Sequence, residues 1–286
     1  MKVLVFGRNG QLGSALKMLS PKSSNSLFFT KSDVDFFDTN SIRTIINYHK
    51  PELVINAAAY TAVDQAETES STAFKINAEA PGVIASVCNN VGAGFIHFST
   101  DYVFDGKGEA PYSEQDSVHP LGVYGKSKLA GEEAIASQTD KYIVIRTAWL
   151  YSLVGENFLK TMLRLEKSEK EIRVVSDQFG CPTYAHDLAN AVWLIVAQLN
   201  KNKQFPRGIY HAVNSGVASW YEFAQEIFKV LGRTDKVIHP IATSEYTTSA
   251  KRPSFTALSC DHIRQIFGVT LPDWRDGVAR CMSELE

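Results

Sequence analysis

The sequence predicts an α/β fold, a doubly wound parallel sheet with a smaller C-terminal lobe. Three observations predict it. Short apolar runs alternate with longer helical patterns, the runs are continuously apolar, and the rhythm changes after about residue 177. Continuous apolar runs suit strands buried on both faces, and strand–helix repetition builds right-handed βαβ units.

The predicted strands are "KVLVF" (2–6), "SLFFT" (26–30), "ELVIN" (52–56), "GFIHFS" (94–99) and "YIVIR" (142–146), with helices at 11–19, 40–49, 68–91 and 124–138. "EIRVVS" (171–176) reads as a further sheet strand. Beyond it, "DQFGCPT" (177–183) has the glycine and proline of a loop, and a helix follows at 186–199. "SWYEFAQEIFKVLG" (219–232) carries a serine cap, a glutamate three residues on and a closing glycine, which marks a capped helix. Residues 239–259 read mostly as loop.

The chain has 286 residues, 44% hydrophobic and 21% charged, with a formal net charge of −2. That balance gives no field to recruit nucleic acid or an acidic membrane. The four cysteines form no CxxC pair and are too scattered for a disulfide framework. The longest apolar stretch, "ANAVWLIVAQL" (189–199), is half a membrane span. The expectation is a cytoplasmic protein with no nucleic-acid or membrane partner.

The first strand runs into "GRNGQLG", with Gly7, Gly10 and Gly13. After a first strand and before a helix, such glycines allow a tight turn, close approach of backbone to a pyrophosphate, and close helix–strand packing. The helix then aims its free N–H groups at the anion. The competing reading is a turn with no ligand, but the βαβ context favours a dinucleotide and hence a Rossmann-type sheet. The division this implies is a dinucleotide-binding domain over 1–176 and a mainly substrate-binding lobe over 177–286, with a soft boundary because the chain can return to the sheet.

An acidic residue about 20 positions on would bind a ribose 2′-OH. Here the second strand ends in "FTKSDVDFF", with Thr30 and Lys31 at that place. Lys31, with Arg8, suits a 2′-phosphate, so NADPH is preferred; Asp33 and Asp35 keep NADH open. The bland alternative for Lys31 is a solvated loop lysine. The third strand ends in Ala57, Ala58 and Ala59, small enough for a flat ligand or simply for tight packing.

The fourth strand ends in Ser99, Thr100 and Asp101, at the carboxyl edge where open α/β sheets bind ligands. Tyr124 follows, and Lys128 lies four residues later on the same helix face. A ketone that accepts hydride needs a proton donor and a group that steadies its developing negative charge. Tyr124 would donate the proton, Thr100 would hydrogen-bond the carbonyl oxygen, and the Lys128 ammonium would lower the phenol pKa. Among eleven tyrosines one such spacing arises readily by chance. Its weight comes from the glycine loop and the strand-end hydroxyls. Other chemistries lack their patterns: the seven histidines form no HxxxH, and neither GxSxG nor GxxxxGK[ST] occurs. Asp33, Asp35 and Asp38 suit turns and caps, and His211 reads as a structural strand end.

These motifs make the sequence resemble the extended short-chain dehydrogenase/reductases, whose glycine loops share the GxxGxxG spacing. Within them it resembles the dTDP-4-dehydrorhamnose reductase family along nearly its whole length. "VINAAAYTAVDQAE", "STDYVFDG", "PLGVYGKSKLAGE", "RTAWLY", "NFLKTMLRL", "DQFGCPT" and "RPSFTALS" carry the likeness. The resemblance implies reduction of the 4-keto group of dTDP-4-dehydro-L-rhamnose by NADPH or NADH, giving dTDP-L-rhamnose for surface polysaccharide. It places Asn9, Gln11 and Leu12 with the glycines at the pyrophosphate and Asp35 and Phe36 by the adenine. Ala59, Tyr60, Thr61, Tyr124 and Lys128 complete the cofactor site. Thr100, Asp101, Trp149, Asn157, Gln178, Pro182 and Arg252 fall on the side of the nucleotide sugar. Some members are described as dimerising around magnesium, but Ala15 and His186 stand here at two of the acidic positions. A magnesium site is therefore not expected, while a homodimer through other contacts stays open. The remaining alternatives are a reductase of another 4-keto nucleotide sugar and a non-catalytic NADP-binding regulatory subunit.

Overall fold

The computed structural model describes residues 1–22, 24–168, 171–201, 205–233 and 236–285. The first half alternates: β1 (Lys2–Phe6), α1 (Gln11–Met18), β2 (Asn25–Phe29), α2 (Thr39–His49), β3 (Leu53–Asn56), α3 (Val63–Ala66), α4 (Ser70–Phe74), α5 (Ala80–Val91), β4 (Gly94–Thr100), α6 (Val123–Gln138) and β5 (Tyr142–Thr147). There follow β6 (Leu150–Tyr151), α7 (Phe158–Ser168), β7 (Glu171–Val175), β8 (Phe179–Gly180), β9 (Thr183–Tyr184), α8 (Ala185–Leu199) and β10 (Gly208–His211). The chain ends with β11 (Ala218–Ser219), α9 (Trp220–Val230), β12 (Val237–Ile241), α10 (Asp261–Phe267) and α11 (Trp274–Ser283).

Six strands pair in the order β10-β5-β4-β3-β1-β2, all parallel. Successive side chains point to opposite faces, and both faces are covered. Val3, Val5, Ile55, Ile96, Ile143 and Ile145 pack with α1, α8 and α10. Leu4, Phe6, Val54, Phe95 and Val144 pack with α2, α5 and α6. This double burial is why the strands read as continuous apolar runs. The strand order reverses between β1 and β3, so a crevice opens at the carboxyl ends there. No helix among the described residues is long and apolar enough to cross a membrane.

Three sequence expectations need correction. β7 does not join the main sheet; it pairs with β12 in a separate two-stranded parallel sheet, so part of the expected 239–259 loop is strand. The helix expected over 68–91 is broken by a π-helical turn, Lys75–Glu79. Pro81 has no N–H to offer the Asn77 carbonyl, and a Cβ on Gly131 of α6 would come within 2.1 Å of that oxygen. The helix therefore widens where α6 crosses it. Packing also crosses the 176/177 division in both directions. Leu159, Met162, Ile172 and Val174 join a third cluster with Phe223, Ile227, Trp274 and Val278. Beyond that division, α8, β10 and α10 return to the main sheet, as the soft boundary allowed, because the edge beside β5 is open to β10 and α8 buries its apolar face there.

Two elements follow the sequence closely. Ser219 and Glu222 form a reciprocal capping box at the start of α9. His211 is buried, with Nδ1 3.1 Å from the Tyr112 carbonyl, and burial pulls its pKa down to about 3.

Candidate active site

The crevice is a cavity of about 860 Å³ at the carboxyl edge of the sheet. Its walls bring together Gly7, Asn9, Gly10, Gln11, Leu12, Lys31, Asp35, Phe36, Ala59, Tyr60, Thr61, Thr100, Asp101, Tyr124, Lys128, Trp149, Asn157 and Arg252. Four expected residues, Arg8, Gly13, Gln178 and Pro182, are not walls. Gly13 lies behind the loop, where a Cβ would meet the Gly7 carbonyl oxygen at 2.0 Å, so only glycine lets α1 seat against the turn. Gln178 is buried and turns away to donate to Thr243 Oγ1 at 3.0 Å.

The glycine loop is tightly constrained by backbone on both sides. Gly7 takes φ +87°, and a Cβ there would lie 2.6 Å from the Ala57 carbonyl carbon. Gly7 and Arg8 both donate backbone N–H to the Phe29 carbonyl at 3.1 Å, which ties the loop to β2. Gly10 caps α1 with no side-chain hydrogen bond, leaving the first N–H groups free. Gln11 Oε1 accepts from Asn157 Nδ2 at 2.8 Å, and Asn157 Oδ1 accepts from Lys160 N at 3.0 Å at the start of α7. One hydrogen-bonded pair thus joins the loop to the C-terminal lobe. Thr30, Lys31 and Asp35 share the end of the cavity beyond β2.

At the other end Tyr124 begins α6. Gly125 is required beside it, because a Cβ there would meet the Tyr102 carbonyl at 2.2 Å. The rings of Tyr102 and Tyr124 meet edge to face, 5.9 Å apart. Burial pushes the Tyr124 phenol up, opposed by the Thr100 hydroxyl and reinforced by the Asp101 carboxylate. Thr100 Oγ1 donates to Asp101 Oδ1 at 3.0 Å. Burial raises the Asp101 carboxyl to about 7, against the hydroxyls of Thr256 and Thr100. The lowered phenol expected from the Tyr124–Lys128 spacing is therefore absent here, since burial outweighs the other influences. Lys128 is turned toward β4. Its Nζ donates to the Phe98 carbonyl at 2.6 Å and lies 3.3 Å from His97 Nε2.

The lobe side is aromatic and cationic. Trp149 sits at φ +46°, a conformation a bulky residue adopts only under constraint. Its indole stacks on Trp220 with centroids 3.5 Å apart and planes 4° from parallel. Gly180 lies so close that a Cβ would meet the indole at 2.5 Å. Arg252 donates to Asp64 Oδ2 at 2.8 Å and reaches the Tyr102 hydroxyl at 3.4 Å, which strings α3 to the C-terminal lobe.

Sequence reasoning missed Trp220, Tyr102, Asp64, Asn77 and His97. Asn77 accepts from Tyr60 N at 2.9 Å and donates to Ser127 Oγ at 3.0 Å, fixing Tyr60 and α6 together. The "YTAVDQAE" and "HFST" segments held Asp64 and His97 in plain view, but their partners lie far along the chain. No local signal marked Trp220. No group of three or more candidate metal-ligating side chains occurs among the described residues. His186, at a position where the resemblance called for an acid, lies 3.1 Å from Glu284 Oε1.

Comparison with known proteins places this architecture. The family model for the RmlD substrate binding domain matches residues 1–286. The chain is 41% identical to the dTDP-4-dehydrorhamnose reductase of Sinorhizobium fredii, over 98% of this chain and 96% of that protein. The structure of a dTDP-4-dehydrorhamnose reductase from Clostridium acetobutylicum superposes with a TM-score of 0.94 at 38% identity, covering 100% of this chain and 99% of the other. One from Bacillus anthracis, in complex with NADP, gives 0.92 at 37% identity over 99% and 100%. The chain belongs to the RmlD substrate binding domain family, among relatives that are dTDP-4-dehydrorhamnose reductases.

Proposed function

We propose that this chain reduces the 4-keto group of dTDP-4-dehydro-L-rhamnose with NADPH, giving dTDP-L-rhamnose. The observation that carries the reading is that the glycine loop, Thr100, Tyr124 and Lys128 line one cavity. The loop fits a dinucleotide: its turn leaves no room for a Cβ at Gly7 or Gly13, and the uncapped α1 offers its N–H groups. Gly7, Asn9, Gly10, Gln11 and Leu12 would hold the pyrophosphate. Lys31, Asp35 and Phe36 would hold the adenosine end, and Ala59, Tyr60 and Thr61 the middle. When bound, the nicotinamide supplies the hydride. Tyr124 Oη gives its proton to the ketone oxygen, and Thr100 Oγ1, its one hydrogen turned from Asp101 Oδ1, donates a hydrogen bond to that oxygen as charge develops there. The burial that raises the phenol keeps it protonated until the ketone oxygen can take the proton. Asp101, Trp149, Asn157 and Arg252 would bind the nucleotide sugar, with the Arg252 guanidinium suited to a diphosphate.

The deciding experiment is turnover of dTDP-4-dehydro-L-rhamnose by the purified protein with each nicotinamide. Oxidation of NADPH coupled to dTDP-L-rhamnose formation is expected. Turnover restricted to a different 4-keto nucleotide sugar would replace the substrate, and tight dinucleotide binding without any ketone reduction would replace the reading with a binding subunit.

Two variants test the cofactor assignment. Lys31→Ala removes the cation expected to face the 2′-phosphate. It should lower kcat/KM with NADPH about tenfold or more and leave the NADH value near wild type. An equal loss with both cofactors would assign Lys31 no selective role. Gly13→Ala forces the Gly7 turn to shift, at a cost of about 1–3 kcal/mol, so Kd for NADPH should rise about tenfold or more. Calorimetric titration reads this directly.

A further inference from the structure

We propose that Asn56 and His97 are positioning residues that set the charge of Lys128, by holding His97 as its Nε2–H tautomer. Donors and acceptors have to match along this buried chain. Asn56, His97 and Lys128 are all 1% exposed or less, so water does not rescue a mismatch among them. The Asn56 amide is oriented by its neighbour: its Oδ1 accepts the Ala58 backbone N–H at 3.0 Å. The opposite orientation would point two donors at each other. Asn56 Nδ2 therefore faces His97 Nδ1, 3.2 Å away.

An amide nitrogen only donates, so His97 Nδ1 must accept. A neutral imidazole with Nδ1 bare carries its hydrogen on Nε2. Burial holds the His97 pKa well below its ordinary value, with the Lys128 charge adding to the effect, so the ring is neutral. Nε2–H then points at Lys128 Nζ, 3.3 Å away. An ammonium offers no lone pair to that hydrogen; a neutral amine does, while still donating to the Phe98 carbonyl. Every group in the chain is matched only when Lys128 is neutral. If Lys128 is charged, His97 must turn its bare nitrogen to it, and Nδ1–H then meets the Asn56 amide donor. One mismatch is unavoidable in the charged state.

The other groups facing Lys128 are consistent with this. Burial lowers its pKa to about 8, and the Glu132 charge one turn along α6 opposes the drop. Glu132 is itself engaged in two hydrogen bonds from Arg146 of β5, at 2.9 and 2.7 Å. Tyr124, on the same helix face, is neutral. Lys128 is thus a group that exchanges its proton near neutral to mildly alkaline pH, not the fixed cation its sequence position suggests. Asn56 and His97 act on it from β3 and β4, without touching the cavity side of Tyr124.

Asn56→Asp is the test, because it preserves shape and the Ala58 contact but turns the donor toward His97 into an acceptor. Long-range proton–nitrogen correlation spectra of the full-length, cofactor-free protein in alkaline buffer read the tautomer, with His97→Asn identifying the signal. The wild type should show Nε2–H and Asn56→Asp should show Nδ1–H. The proposal has a kinetic arm that rests on the reductase reading. There, the alkaline limb of kcat/KM, where the Lys128 ammonium is lost, should move up by about one pH unit or more in Asn56→Asp. An Nδ1–H tautomer in the wild type, or the same tautomer in both proteins, would overturn the proposal. So would an unmoved limb in a variant whose tautomer has switched. A wild type with no turnover would count against the reductase reading alone, and the tautomer would still decide this one.

Discussion

Tyr124→Phe is expected to lower kcat by about 10²- to 10⁴-fold while leaving Kd for NADPH close to wild type. The substitution removes one oxygen and keeps the ring, which packs edge to face on Tyr102. The lost oxygen is the proposed proton donor, in the cavity that also holds Thr100 and the glycine loop. Stopped-flow measurement of NADPH oxidation under single-turnover conditions, alongside calorimetric titration of the cofactor, separates the two effects. A variant that keeps its turnover would remove Tyr124 from the chemistry. One that loses cofactor affinity in proportion would make the residue a binding group.

Glu132→Gln should destabilise the fold by about 3–5 kcal/mol and lower the melting temperature by on the order of 10 °C. Glu132 and Arg146 are 3% and 2% exposed, and two hydrogen bonds join them. The guanidinium also lies over the Phe104 ring, 5.2 Å from its centroid. Neutralising Glu132 leaves a charge in a dry interior without its counterion, and that penalty far exceeds what a surface pair contributes. The matched control is Lys229→Gln, where the lysine is 73% exposed and pairs with Glu226; it should change stability by less than about 1 kcal/mol. Thermal melts of the two variants side by side make the comparison. A Glu132→Gln protein as stable as the control would show that the buried pair contributes no more than a surface one.

The sheet was legible in the sequence because each strand is buried on both faces, which leaves a run such as Leu53, Val54 and Ile55 with no polar interruption to blur it. The glycine loop was legible because part of its constraint is local: a side chain on Gly13 would clash with the Gly7 turn six residues before it. The π-helical turn was not, since it depends on Pro81 in one helix and Gly131 in another, fifty residues apart. Nor was the fate of Lys128. Spacing on α6 placed it beneath Tyr124, but its hydrogen bonds run across the sheet to His97 and Phe98, and only the folded register shows them. Gln178 failed for the same reason in reverse. The family resemblance placed it on the side of the sugar, yet Thr243, 65 residues away, claims its amide.

The Gln11–Asn157 bond has a thermodynamic consequence. Gln11 belongs to the glycine loop proposed to hold the dinucleotide, while Asn157, proposed to meet the nucleotide sugar, caps α7. A ligand that stills one partner lowers the ordering entropy left for the other, and linkage makes that assistance mutual. On the proposed reading, each ligand then raises the equilibrium affinity for the other by the same factor.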